Sequence, residues 1–480
     1  MTRAIVFEEH SSVLPHWFGV GVSQATLITL DAHLDLQFVD EARISRLRAC
    51  GTAPEMARLE SPHPLSPDRS GSFGIEDFLF PAGRLGLVRR VVWVAPPHVL
   101  QAGVGSALSS LQQMETVTLE ELESFHRVAG GWIEGRLMGL DLTICDLTQL
   151  PRIAIDGPLL VDIDVDFFVR VPDDVVWMQP TRAIAALRER VGPSAELTIA
   201  RSVGSGFLPL RHRFLADQLA ALWEGRAHAA AHWQAVLDAD VLACRGRPQD
   251  ALARLHALDA HDPPCAATWY AMALLDPDPN LRSLHLVKAR ELDPAYRDDL
   301  VRRICELRAR WKRFDLAAVQ GLQTEVAVAP GNDARQAIAW IALGRLYTEF
   351  DRLEDAQDCD SQSLRLSTGH PELALEIAKL WLARGRYDAA ALFLDRAGSD
   401  DETRVVAGLY CAEIAHAQGA HGDAIRRVQA TILAAPAWAY PVIRLSRFLA
   451  LAGDSGRALA MQQRGSSIER HIQQLAMRLA

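Results

Sequence analysis

Lysine is almost absent from this chain. Of its 50 basic residues only Lys288, Lys312 and Lys379 are lysines, so its positive charge is carried nearly everywhere by arginine. The formal net charge is −10 and the pI about 5.9, which leaves no concentrated basic surface to displace counterions and argues against a nucleic-acid or anionic-membrane partner. Cysteine is sparse as well. Cys50, Cys145, Cys244, Cys265, Cys305, Cys359 and Cys411 are scattered, odd in number and never at C-x-x-C spacing, so no disulfide framework or zinc site follows. Long apolar runs are missing: no stretch of about 18 apolar residues offers a membrane span. Near the start, Ala4 to Phe7 runs into Glu8 and Glu9 too early for the apolar region of a signal peptide. The expected location is cytoplasmic.

At 480 residues the chain exceeds the size of one core, so two domains are expected, divided near residues 215 and 216. Up to about residue 210, strand patterns alternate with helical ones, the signature of a mainly parallel sheet covered by helices on both faces. The predicted strands are Ala4 to Phe7, Ala25 to Leu30, Val88 to Val94, Leu140 to Leu147, the run through Asp166, and Glu196 to Ser202. Helices are predicted around His16 to Val20, over residues 40–60 with Ile44, Leu47 and Met56 inward, at Thr118 to Arg127 and at Arg182 to Arg190. Between them, Ser61 to Ser72 is too rich in Pro, Ser and Gly for regular structure and reads as a rim of the active site.

Chemistry gathers at the strand ends. Ile28-Thr29-Leu30-Asp31-Ala32-His33-Leu34-Asp35 is a buried strand that closes in three potential metal ligands two residues apart, where open α/β sheets place ligands. The first strand likewise ends in Glu8, Glu9 and His10. A second acidic run, Leu160-Val161-Asp162-Ile163-Asp164-Val165-Asp166-Phe167-Phe168, alternates strictly, which on a continuous strand puts Asp162, Asp164 and Asp166 on one face. Three partly buried carboxylates repel one another unless a cation sits among them, and a metal pair is the natural solution. Carboxylates combined with imidazoles favour a hard or borderline divalent ion such as Mn²⁺. Two ions sharing a water lower its pKa.

From Phe214 onward strand patterns vanish and a period appears. Ala356, Ala390, Ala424 and Ala458 stand 34 residues apart, in contexts such as Asp351-Arg352-Leu353-Glu354-Asp355-Ala356 and Gly385-Arg386-Tyr387-Asp388-Ala389-Ala390. Gly246 to Ala251 is an earlier copy, and the period blurs around Glu291 to Pro294 and Arg313 to Ala317. This step is the length of a tetratricopeptide repeat, which the region resembles. Residues 216–480 are therefore expected to form about six or seven helical hairpins stacked into an all-α solenoid. Such arrays bind a peptide or protein partner through a concave surface; the alternative is that the array only caps or dimerises the first domain.

With His10 and both aspartate clusters assembled, residues 4 to about 210 resemble the ureohydrolase, or arginase-like, superfamily. The likeness is greatest to a branch with a Glu-x-His opening, an Asp-x-His-x-Asp motif and a Val-Asp-Ile-Asp-x-Asp-Phe-Phe strand, some members of which are peptide arginases. That resemblance implies two manganese ions held by His10, Asp31, His33, Asp35, Asp164 and Asp166. Asp35 and Asp162 are its candidate catalytic carboxylates, with Asp162 outside the ligand set as a supporting group unless a register one pair earlier exchanges it with Asp166. The implied reaction is attack of water on a guanidinium carbon, yielding ornithine and urea. One family feature is missing: the Glu that grips the guanidinium is not evident at the last strand's end, where Arg201, Ser202 and Gly204 to Gly206 stand. Glu76, Asp77, Arg201 and Ser202 are the substrate-binding candidates. No motif for a free amino acid's α-amino and carboxylate groups is visible either, which fits an arginine within a peptide. Runner-up readings are an amidohydrolase or deacetylase on the same fold, and a repeat scaffold with a structural metal.

Overall fold

The computed structural model of the chain describes residues 3–61, 71–101, 104–170, 174–192, 195–205, 207–261, 265–296, 316–328, 334–366, 371–399 and 403–479. Its first half is built on strands β1 (Ala4–Phe7), β2 (Ala25–Leu30), β3 (Val88–Val94), β4 (His126–Arg127), β5 (Ile133–Leu137), β6 (Leu140–Cys145), β7 (Leu159–Asp164), β8 (Val169–Arg170), β9 (Val175–Val176) and β10 (Leu197–Ala200). Eight of them form one sheet in the order β1-β10-β7-β2-β3-β6-β5-β4. The six strands from β1 to β6 run parallel, whereas β5 and β4 add an antiparallel edge. β8 and β9 make a separate two-stranded ribbon.

The central strands bury both faces, as their near-continuous apolar sequences require. Ile28, Leu30, Val161 and Ile163 feed one core with the helix Pro180–Val191. Leu27, Val91 and Leu142 feed the other with helices Val13–Gly19 and Glu41–Arg48.

Three local expectations change. The stretch over residues 40–60 is two helices, Glu41–Arg48 and Ala53–Ala57, because Thr52 starts a new N-terminus by accepting from the Glu55 amide, with Pro54 in the first turn. Ile44, Leu47 and Met56 are nonetheless all buried. The helix from Thr118 ends at Ser124, and His126 and Arg127 are already strand. The acidic run is not one strand: β7 stops at Asp164, and Val165–Phe168 is a 3-10 turn. Strict alternation had no way to signal that turn, which is capped by Asp164 itself, its Oδ1 accepting from the Asp166 amide at 3.2 Å.

Beyond β10 every regular element is helical among the described residues. Antiparallel pairs follow one another: Ala227–Cys244 with Pro248–His261, Ala266–Leu275 with Pro279–Leu292, Ala334–Glu349 with Leu353–Leu366, Pro371–Ala383 with Tyr387–Ala397, Arg404–Ala417 with His421–Ala434, and Ala439–Leu451 with Ser455–Leu479. The helix Leu316–Val328 packs on the third pair. Ala356, Ala390 and Ala424 are fully buried where the helices of a pair approach, as small residues at a close crossing must be. Arg313 to Asp315, Pro263 and most of the Ser61 to Ser72 loop, residues 62–70, lie outside the described residues.

The array is not hung from the sheet by a linker. Leu215, Leu219 and Trp223 of the helix Leu215–Glu224 are fully buried in the same core as Ile163 and Ile199, and Val236, Tyr270 and Tyr296 extend that core into the first hairpins. At the far end, Leu475 and Leu479 of the last helix are buried in the core of the opposite face, with Leu122 and Leu140.

Candidate metal centre

Parallel strands expose their carboxyl ends together, so the polar residues that follow β1, β2, β7 and β10 meet at one rim. His10 opens a 3-10 turn three residues past β1, Asp31 to Asp35 follow β2, and Asp164 ends β7. The 3-10 turn then brings Asp166 round, where its Oδ2 lies 2.7 Å from His33 Nδ1 and its Oδ1 accepts from the Ala32 amide at 3.2 Å.

Two ligand groups result. In one, atoms of His10, Asp31, Asp35 and Asp164 all lie within 4.8 Å of one another; in the other, atoms of Asp31, His33 and Asp166 do, so Asp31 belongs to both. His10 Nδ1 stands 2.8 Å from Asp35 Oδ2 and 3.3 Å from both Asp31 Oδ2 and Asp164 Oδ2. Its other nitrogen, Nε2, is 2.6 Å from Asp162 Oδ2. A proton on Nε2 donated to Asp162 leaves the Nδ1 lone pair aimed into the carboxylates, the arrangement in which imidazole ligates a metal.

Asp162 joins neither group. It is fully buried between two threonines on the same rung of the sheet, Thr198 of β10 and Thr29 of β2. Thr29 Oγ1 donates to its Oδ2 at 3.3 Å, and Thr198 Oγ1 donates to its Oδ1.

The electrostatics suit a cation. Asp31 is held well above the usual carboxylate range by burial and then by the charges of Asp35 and Asp166; Asp164 is raised by burial and by Asp166. Asp35 is raised chiefly by burial, although both histidines oppose it. Burial disfavours charge on His10, yet Asp162, Asp164 and Asp35 outweigh it and lift the imidazole well above its ordinary value. His33 is lifted to about 9 in the same way, chiefly by Asp166. Among the described residues the printed ion pairs of these five aspartates are with His10 and His33 and none is with a Lys or Arg, and the oxygen-rich set could hold a metal ion.

Backbone strain marks the same rim. Asp35 and Ser202 adopt left-handed φ values of 48° and 50°, a conformation that costs a non-glycine residue of order 1 kcal/mol or more.

The substrate-binding candidates have other occupations. Ser202 does reach the centre, but its Oγ donates to Asp164 Oδ2 at 2.6 Å. Arg201 pairs with Asp217 at 2.9 Å and faces Glu8 at 3.7 Å. Asp77 is buried, accepting from the Gly74 amide and pairing with Arg43 at 2.8 Å. Glu76 accepts from Gln37 at 3.3 Å. His98 lies in the short helix Pro97–Gln101, its ring 6.0 Å from that of Trp177.

Supporting residues escape a motif search. Phe78 lies edge-on to the His10 ring at 4.7 Å, and Ser11 and Ser12 both donate to Glu60, at the base of the Ser61 to Ser72 loop. Glu9 is pushed up to about 7, mainly by burial; its Oε1 accepts from the Ser205 amide at 3.0 Å, and a Cβ on Gly204 would collide with it. Only the polar cluster after β1 hinted at Glu9, and nothing local pointed to Glu60. The open side of the centre is at His33, whose side chain is 49% exposed and lies edge-on to Phe207 at 5.1 Å.

No protein-family model matches the chain, and no curated protein is similar to it. A solved structure titled "Functional Characterization of Pseudomonas Aeruginosa pilF" aligns with 49% of this chain and 98% of its own, at 17% identity and a TM-score of 0.25, a likeness that carries no argument about fold or function. No described helix is long and apolar enough to cross a membrane.

Proposed function

We propose that the chain is a metal-dependent hydrolase of the arginase-like class, acting on a guanidino C–N bond of an arginine within a peptide and releasing urea. The observation that carries this reading is the pair of overlapping ligand groups joined by Asp31 at the carboxyl ends of parallel strands. His10, Asp31, Asp35 and Asp164 would hold one manganese ion, and Asp31, His33 and Asp166 a second. Bound there, the ions would supply Lewis acidity and a water of lowered pKa.

The chain's own residues supply the rest. Asp162, fixed by two threonine hydroxyls, holds the proton on His10 Nε2 and so keeps Nδ1 free to ligate. Ser202 orients Asp164, while the Asp166 and His33 amides tie the two aspartate motifs to Asp164 and Asp31. The excess of carboxylates draws a guanidinium toward the open side at His33. The helical array serves as the surface that binds the peptide or protein carrying the arginine, alone or in a homo-oligomer.

The test is urea release from an arginine-containing peptide by protein loaded with Mn²⁺. Urea with matching ornithine supports the reading. Acetate from an acetylated substrate without urea would move the enzyme to the deacetylase class, and no metal-dependent turnover of either would leave a scaffold with a structural metal.

A further inference from the structure

From Phe7 to Trp223, among the described residues, every Phe and Trp but one belongs to one of the two sheet cores or packs against it; the exception is Phe207. Its neighbours show how it is left out. Val203 and Leu208 turn inward and are buried, while Phe207 between them is half-buried and stands against the His33 ring, with the centroids 5.1 Å apart. Packing therefore accounts for its neighbours but not for Phe207.

The turn that carries this ring is closed on itself and tied to the residues around the metal ligands. The Leu208 amide donates to the Ser202 carbonyl at 2.9 Å, and Ser205 Oγ donates to the same carbonyl at 3.2 Å. Outward from that closure, Ser202 Oγ donates to Asp164, the Ser202 amide to the Glu8 carbonyl at 3.0 Å, and the Ser205 amide to Glu9. The left-handed φ of Ser202 is the strain this path accepts. A ring on a turn fixed in this way is in place before anything binds, so little ordering is left to oppose binding.

His33 is the side from which a substrate reaches the centre. Its side chain is 49% exposed, whereas those of His10, Asp31, Asp35, Asp164 and Asp166 are at most 9%. A group arriving there meets the Phe207 ring. The carboxylates expected to grip a cation are engaged elsewhere, Asp77 with Arg43 and Glu76 with Gln37. An aromatic surface can take over that task, because a guanidinium is planar, weakly hydrated and attracted to the face of a ring.

We propose that Phe207 is the specificity-determining residue of this centre: the substrate's guanidinium stacks on its ring beside His33. This deepens the arginine reading above and rests on it. Selection then comes from the π surface, so a neutral planar group of the same shape gains less than a guanidinium does.

The test uses the full-length, Mn²⁺-loaded protein with a fluorescently labelled arginine peptide and its citrulline counterpart, which is planar and neutral at the same place. Binding is read as anisotropy in a stopped flow, before turnover. Phe207→Leu keeps apolar bulk without a ring and should cut the preference for arginine over citrulline by about 2- to 5-fold, while Phe207→Trp should preserve it. In turnover the loss should appear in KM rather than kcat, as for an interaction made equally before and during reaction. Metal content and melting temperature should match those of the unaltered chain. Equal weakening toward both peptides would reduce the ring to an apolar wall, an unchanged preference would remove it from recognition, and a fall in metal content would make it a prop for His33; each overturns the proposal. A Phe207-dependent preference in a protein that releases no urea keeps the selecting ring and removes the arginase chemistry, whereas urea release with an unchanged preference does the reverse.

Discussion

The sheet's carboxyl rim and the helical array treat buried polar groups in opposite ways. At the rim, His10, Asp31, Asp162, Asp164 and Asp166 are each at most 4% exposed, and their carboxylates crowd one another. In the array, ion pairs such as Arg426 with Asp423 and Lys379 with Glu376 sit on exposed helix faces one turn apart, where each contributes at most a few tenths of a kcal/mol. Its buried positions are instead mostly Ala and Leu. A rim that accepts such desolvation cost could hold a metal ion; an array that avoids it is organised around packing.

The largest effect expected from breaking the contrast is at Asp31, the residue common to both ligand groups. Asp31→Ala should lower bound metal from two ions to none by elemental analysis and abolish turnover, whereas His33→Ala should retain one ion. Two ions retained in Asp31→Ala would defeat the binuclear assignment.

Next in size is a chain ending at residue 215. Leu219 and Trp223 are fully buried in the sheet's core, each worth roughly 1.5–3 kcal/mol, and Val236 and Tyr270 lie beyond them. Their joint loss rivals the 5–15 kcal/mol that typically holds a domain together, so this truncation should be insoluble or lack a cooperative melt. A soluble, cooperatively melting product would show that the two regions are separable after all.

Asp162→Asn tests the supporting layer. It should keep the fold and both sites but weaken metal binding by roughly 10- to 100-fold, read by titration calorimetry. An unchanged affinity would reduce the Thr29, Asp162 and Thr198 rung to packing.

The smallest effects come from one exception in each region, and they have opposite signs. In the array, Asp360 is 2% exposed where the positions 34 and 68 residues on hold buried Leu394 and Val428, and its Oδ2 has no hydrogen-bond partner among the described residues, although the charges of Arg384 and Arg345 act against its burial. Burial pushes it up to about 6, so the folded state binds its proton more tightly and stability is lost as pH rises from about 4 through 6. Asp360→Leu should therefore stabilise at pH 7, by about 1–2 kcal/mol, and remove that slope. Where the array roots in the sheet, His212 is buried and pushed down to about 4 by desolvation, its Nε2 2.9 Å from the Asp174 carbonyl. The folded state there prefers the neutral ring, so stability is complete above about 6.5 and is lost as pH falls toward 4. Over this shared window the two slopes oppose each other, so His212→Gln should make a melting-temperature profile rise less steeply with pH and Asp360→Leu should make it rise more steeply; both variants changing the slope in the same direction would refute the pairing.

Much of the rim was legible because strand periodicity and ligand chemistry coincide in short stretches. Thr29 to Asp35 and Val161 to Asp164 each carry a buried strand and its terminal ligands within a few residues, and the 34-residue spacing of Ala356, Ala390 and Ala424 marks the helical pairs just as locally. Asp166 was drawn correctly to the rim but through the wrong backbone, since alternation continues in the letters past the point where β7 ends. The antiparallel strands β4 and β5 were missed because Ile133 to Leu137 includes Glu, Gly and Arg and owes its strand to pairing with β6.

What the chain's letters determined by themselves is therefore local: which segments are strands or helices, which acids and histidines close the strands, and the 34-residue spacing in the second half. Tertiary structure alone decided that Asp162 supports His10, that Arg201 and Asp77 are tied up in ion pairs, and that Leu475 and Leu479 return to the sheet edge beside Arg127. The physical reason is range. Periodicity and capping act over a few residues and leave a trace in sequence, whereas a hydrogen bond across more than 300 positions, like that from Arg127 to the Leu479 carbonyl, depends on a register and a packing that no single stretch encodes.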